Sequence, residues 1–215
     1  MAEITEDFIL HGKIRLLQPK NGYRAAQDPI VLARQVELRS GQSILDVGCG
    51  VGTISLILKH FNESQNITCI DIDPEMVELC TKNSQINKLP LHIVEGNVNS
   101  SALSSKTFDC VVTNPPFYNV RNFRASTTKK FANFETVDLQ VWLKFCLKRL
   151  KPQGDLYIIH LPERINEILD TVKHYAGRIE ITPVYSRPDQ KAKRAIIKMR
   201  KGSREALKIM SPMFL

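Results

Sequence analysis

The chain has 215 residues, enough to bury a core as one domain, with 43% hydrophobic and 24% charged residues, the balance of an ordinary soluble globular protein. No apolar run approaches a membrane span and the first residues lack the apolar stretch of a secretory signal, so a cytoplasmic protein is expected. Thirty Lys and Arg against 22 Asp and Glu leave a net charge of +8, which favours a polyanionic partner, nucleic acid first.

The predicted elements alternate. SILDVG (43–48) is a short buried strand, and 53–61 follows with helical spacing. ITCIDI (67–72) is a β-branched strand, after which Asp73 and Pro74 supply an N-cap and a first helical position for a helix running to about residue 87. LHIVEG (91–96) and FDCVVT (108–113) are the third and fourth strands. A helix over about 138–150 stops at Lys-Pro-Gln-Gly (151–154), which predicts a turn before the strand DLYIIHL (155–161) and a helix over 163–175. RIEITPVYS (178–186) and RAIIKMRK (194–201) flank a basic loop and predict an antiparallel hairpin at the sheet edge.

Regular β-α-β alternation predicts an α/β, Rossmann-like fold: a mostly parallel sheet with helices on both faces, closed by that hairpin. One domain is expected over 1–215, with 1–42 leading into the core. The five cysteines are odd in number and form no C-x-x-C pair, which reads as reduced thiols. They make no ligand-spaced cluster with the five histidines, so no metal is expected.

DVGCGVG (46–52) sits between the first strand and its helix, where open α/β sheets bind ligands. Its glycines Gly48, Gly50 and Gly52 permit a tight turn and a close ligand approach. Asp71 ends the second strand about twenty residues on, where a carboxylate grips ribose hydroxyls. The third glycine comes one residue early for a dinucleotide, and an acid at Asp46 would repel phosphate yet suit an ammonium group. A ligand with an amino-acid end, a ribose and an adenine meets these demands, and S-adenosyl-L-methionine (SAM) is such a molecule.

With its glycine motif, ribose acid and Asn-Pro-Pro-Phe (114–117) in order, the stretch 43–160 resembles a class I SAM-dependent methyltransferase. LLQPKNGYRAAQDPIVLA (16–33) and the closing KAKRAIIKMRKGS (191–203) resemble the small-domain tRNA1(Val) adenine-N6 methyltransferases. The resemblance implies that Asp46, Gly48 and Gly50 hold the methionine end and Asp71 the ribose. Asn97 stands where the family usually has an acid for the adenine amino group. Asp28 either bounds the cofactor pocket or serves the first turn of the following helix.

An exocyclic amine on adenine is a poor nucleophile because its lone pair is delocalised into the ring. Two acceptors placed to pull it toward tetrahedral geometry overcome this: the side-chain oxygen of Asn114 and the carbonyl of Pro115, the latter held rigid by Pro116. Phe117 or Tyr118 offers a ring for an unstacked base. Arg121, Arg124, Lys129 and Lys130 in the polar stretch that follows, and Lys191, Lys193 and Arg194 at the closing hairpin, are the candidate RNA phosphate contacts. The reading is N6-methylation of adenine in tRNA. The same core also serves guanine N2 in ribosomal RNA or the glutamine amide of a release factor, and a catalytically silent SAM- or RNA-binding module is the alternative from another class.

Overall fold

The computed structural model describes residues 3–20, 27–99, 103–119, 134–135 and 137–215, those at 118–119 and 134–135 by backbone only. It begins with a hairpin, β1 (Ile4–Ile9) and β2 (Ile14–Pro19), followed by helix α1 (Gln27–Gln35). Then come β3 (Ser43–Val47), α2 (Thr53–Phe61), β4 (Asn66–Asp71), α3 (Pro74–Ile86), β5 (His92–Glu95) and β6 (Phe108–Thr113). Two short paired segments, β7 (Tyr118–Asn119) and β8 (Phe134–Glu135), precede α4 (Leu139–Arg149), β9 (Leu150–His160), a 3-10 turn at Pro162–Arg164 and α5 (Ile165–Val172). The closing strands are β10 (Ala176–Tyr185), β11 (Arg194–Lys201), β12 (Lys208–Ile209) and β13 (Met213–Phe214).

The main sheet runs β12-β10-β11-β9-β6-β3-β4-β5, with β13 also pairing β10. From β9 to β5 every pairing is parallel; β11 is antiparallel to both β9 and β10. The chain builds outward from β3 through β4 to β5, then returns to the other side of β3 as β6. That reversal leaves a crevice at the carboxyl ends of β3 and β6, the usual ligand position in open α/β sheets.

Alternation along the central strands feeds two cores. Leu45, Val47 and Val111 face α4 and α5, packing with Leu139, Leu143, Ile168 and Val172. Ile44, Cys110 and Val112 face the opposite layer, with Leu32 of α1, Ile57 of α2 and Leu79 of α3. Both faces are therefore covered, which is why these strands read as nearly continuous apolar runs.

The helix starts follow their caps: the Asp73 side chain accepts from the Glu75 N–H at 2.9 Å and Asp138 from the Gln140 N–H at 2.8 Å. The turn expected at 151–154 does not separate α4 from its strand. Instead β9 starts at Leu150, paired with Phe108, and the register jumps to Cys110 opposite Asp155, so the extra residues bulge within the ladder. Gly154 permits this, since a side chain there would lie 2.9 Å from the Asp109 carbonyl. The helix expected over 163–175 is shorter, Ile165–Val172 after the 3-10 turn. The hairpin is antiparallel as expected, with the short β12 and β13 laid beyond it on β10.

The β1–β2 hairpin went unread in the sequence. Ile14 and Leu16 of β2 are fully buried in the second core. Two asparagines one turn apart, Asn83 on α3 and Asn87 capping its C-terminus, act as surrogate strand partners: Asn83 accepts from the Leu17 N–H (2.7 Å) and donates to its carbonyl (2.9 Å), and Asn87 does the same for Arg15 (2.8 and 2.7 Å). Satisfying both backbone groups of an edge strand in this way docks the hairpin on the domain.

Candidate active site

The glycine loop leaves β3 and is tied at once to β4: the N–H groups of Gly48 and Cys49 both donate to the Ile70 carbonyl, at 2.8 and 3.2 Å. Gly48 and Gly52 adopt positive φ, 69° and 88°. A side chain at Gly48 would meet the ring of Trp142 at 2.9 Å, and one at Gly52 would meet the Cys80 sulfur at 2.6 Å. Both positions therefore need glycine twice over, for conformation and for space. Gly52→Ala should destabilise the fold by about 1–2 kcal/mol through the left-handed backbone and by a further ~1–3 kcal/mol through overpacking. Thermal unfolding checks this; in a Cys80→Ala background only the second part should be relieved, and an unchanged unfolding temperature would refute the account.

The two acids differ. Asp46 is fully buried beneath the loop, where its Oδ2 accepts from Ser55 Oγ at 2.7 Å and its Oδ1 has no hydrogen-bond partner. Burial, then the neighbouring Cys69, pushes its carboxyl well above the usual range. Asp71, partly buried at the end of β4, accepts from the Gly50 N–H at 2.7 Å and the Asp73 N–H at 3.0 Å. Burial raises its carboxyl too, against those two donors. Asn97 lies just past β5, with its side-chain oxygen accepting from the Asn99 N–H at 2.7 Å. The carboxyl ends of β3, β4 and β5 thus line up the three positions assigned to the cofactor.

Asn114, Pro115, Pro116 and Phe117 follow directly from β6, next to β3. One residue earlier, Thr113 Oγ1 donates to the Val47 carbonyl at 2.8 Å and accepts from Trp142 Nε1 at 2.9 Å. Since Trp142 also packs on Gly48, one bridge sets the spacing between the glycine loop and the Asn-Pro-Pro-Phe segment. Sequence reasoning missed Thr113 and Trp142. That Trp142 is the one tryptophan in the chain was the available signal.

Phe117 has anchored neighbours. The Arg194 guanidinium lies over its ring, 4.4 Å from the centroid, and His160 stands nearly perpendicular to it, 5.2 Å between centroids at 82°. Arg194 Nε donates to Asp28 Oδ2 at 2.9 Å, and only 15% and 10% of these side chains are exposed. Asp28 lies in the first turn of α1. His160, also missed, is fully buried at the carboxyl end of β9, accepts from the Leu161 N–H on Nδ1 at 2.8 Å, and is driven by burial to a pKa of about 3. Of the hairpin cations, Lys191 and Lys193 are exposed, whereas Arg194 is enclosed. The Tyr118 side chain, Arg121, Arg124, Lys129 and Lys130 lie outside the described residues.

The chain brings Cys49, Cys69 and Cys80 together, their sulfurs within 4.8 Å of one another, the one group of three or more metal-ligating side chains among the described residues. All three are buried in the apolar core beneath the loop, and Cys80 fills the space that glycine leaves at position 52. Their separation in sequence, across a loop, a strand and a helix, hid the cluster.

A mostly parallel sheet with a glycine loop after its first core strand, an acid ending the next and a closing antiparallel hairpin is the class I methyltransferase architecture. A predicted O-methyltransferase from Agrobacterium tumefaciens shares the fold, with a TM-score of 0.71 over 87% of this chain and 86% of that one at 22% identity. Residues 29–176 match the family described as Methyltransferase small domain, and the chain belongs to that family. Several relatives bear the name tRNA1(Val) (adenine(37)-N6)-methyltransferase, two of them as follows. The one from Actinobacillus pleuropneumoniae serotype 7 (strain AP76) is 26% identical over 202 residues, 91% of this chain and 81% of its own length. The one from a Flavobacteriaceae bacterium (strain 3519-10) is 26% identical over 119 residues, 55% of this chain, which spans about half (52%) of that relative.

The chain is therefore a SAM-dependent methyltransferase. Its residues fit the cofactor: an unsatisfied, buried Asp46 oxygen suits an ammonium group, and Asp71 presents a carboxylate at the strand end. Among the described residues no helix is long and apolar enough to cross a membrane.

Proposed function

We propose that this methyltransferase acts on the N6 amino group of an adenine in RNA, tRNA first. The observation that carries the reading is the placement of Asn114-Pro115-Pro116-Phe117 at the carboxyl end of β6, held beside the glycine loop by the Thr113 bridge. The names of the two relatives and the net charge of +8 support it.

When bound, SAM supplies a methyl group already activated on a sulfonium, so the protein's task is positioning. Asp46 and the loop from Gly48 to Gly50 would hold the methionine end, Asp71 the ribose, and Asn97 the adenine through its neutral side chain, a weaker contact than a carboxylate makes. Asn114 Oδ1 and the Pro115 carbonyl accept the two amino hydrogens of the target base and draw the nitrogen lone pair out of conjugation. Both acceptors strengthen as positive charge develops on that nitrogen. The methylated nitrogen then loses one proton to solvent, so no strong base is required. Phe117, and Tyr118 beside it in sequence, provide the surface against which the unstacked base lies.

Incubation with SAM and unmodified total tRNA, followed by mass spectrometry of the nucleosides, tests the reading directly. N6-methyladenosine is the expected product. N2-methylguanosine would move the reading to the other exocyclic amine, and no methylated nucleoside would refute a tRNA acceptor. RNA affinity should also fall with salt, log K dropping by about 0.7–0.9 per phosphate contacted for each unit of log salt. A flat salt dependence would point to a protein or small-molecule acceptor.

A further inference from the structure

Arg194 is 77 residues beyond Phe117 in sequence and 166 beyond Asp28, yet the fold joins the three. Strand β11 pairs with β9 and β9 with β6, so the first residues of β11 arrive beside the segment that leaves β6; Ala195 lies opposite His160 in the register. Arg194 spends its Nε on Asp28 and an Nη on the Lys193 carbonyl (2.8 Å), and holds its guanidinium carbon over the Phe117 ring. A guanidinium so enclosed and so paired is poorly placed to reach RNA phosphate. It is well placed to hold an aromatic ring still.

We propose that Arg194, oriented by Asp28, is a positioning residue for methyl transfer: it covers one face of Phe117 and so decides on which face, and at what distance from Asn114, the acceptor base lies. The inference rests on the methyltransferase reading given above. Arg194 and the perpendicular His160 hemmed against Phe117 are both tethered, the first by Asp28 and the second by the Leu161 N–H, so the ring is held before any substrate arrives. Preorganised rings stack a base with little loss of side-chain freedom. A cation on one face also draws π density from the ring, so the opposite face favours an electron-rich, neutral purine over a cationic acceptor.

The test uses the full chain, SAM and unmodified total tRNA. For Arg194→Ala we expect the single-turnover methylation rate at saturating RNA to fall on the order of tenfold, the scale of one partly desolvated cation–π contact. SAM affinity should stay within about twofold, and the salt slope of RNA binding should not change. Arg194→Lys, which keeps a cation for Asp28, should recover part of the rate. Arg194→Ala combined with Phe117→Ala should be no slower than Phe117→Ala alone, because the arginine acts through the ring. Should Arg194→Ala fail to fold, Asp28→Asn, which loosens the tether, should give the same pattern in weaker form. A salt slope reduced by about one unit with an unchanged saturated rate would make Arg194 a phosphate contact and overturn the proposal. Wild-type methylation of tRNA with every variant at the wild-type rate overturns this proposal alone. No tRNA methylation by the wild type overturns it together with the reading beneath it.

Discussion

Asn114→Ala is expected to lower turnover by on the order of 10²–10³ while leaving both ground states nearly intact, the usual loss when one preorganised polar partner of a developing charge is removed. SAM affinity should stay near wild type, because the glycine loop follows β3 and Asp71 ends β4, and neither depends on this side chain. RNA affinity should also survive, since phosphate contacts and stacking on Phe117 do not involve it. Asn114→Asp separates acceptance from geometry: a carboxylate still accepts the amine hydrogens, so partial activity is expected if acceptance is what matters. Single-turnover assays decide. If both variants turn over normally, the Asn-Pro-Pro-Phe segment is a rigid turn and the proposed chemistry is wrong.

Asp71→Ala should have the largest effect on cofactor binding. Two charge-assisted bonds to ribose hydroxyls, at roughly 1.5–3 kcal/mol each, correspond to a loss of at least about a hundredfold in SAM affinity. The structure adds a second source of loss, because the same carboxylate receives the Gly50 and Asp73 N–H groups and so shapes the loop it serves. Asp71→Asn divides the two: it keeps an acceptor oxygen for the Gly50 N–H and gives up the charge. An affinity between those of wild type and Asp71→Ala would show that loop order and ribose contact both contribute. Calorimetry giving wild-type SAM affinity in a folded Asp71→Ala protein would remove Asp71 from the site. RNA affinity measured in parallel should barely change.

Much of this molecule can be read from local patterns. The apolar runs of β3, β4 and β6 lie on a sheet covered on both faces, so their composition alone marks them. Asp73-Pro74 and Asp138 start their helices through contacts two residues away, which sequence displays directly. DVGCGVG, Asp71 and Asn-Pro-Pro-Phe each sit within a few residues of a strand end, and in a parallel sheet those ends share one edge, so order along the chain became proximity in space.

Whatever depends on pairing between distant segments was settled only by the tertiary structure. The β1–β2 hairpin has partly exposed strands and is held by asparagines on α3 and at its C-cap, 66 and 72 residues away, so no local period announces it. The bulge at 151–154 exists because β6 imposes its register on β9. The thiols of Cys49, Cys69 and Cys80 meet because a loop, a strand and a helix pack together, and nothing in their spacing encodes it. Arg194 reads in sequence as one more cation of a basic hairpin. The ladder from β11 through β9 to β6 carries it to Phe117 and Asp28, where it is enclosed and paired. Residue types and local order thus determined the fold class and the chemistry the chain can offer. Long-range strand pairing decided which side chains that chemistry would have as neighbours, because contacts between distant segments form only once the sheet brings them together.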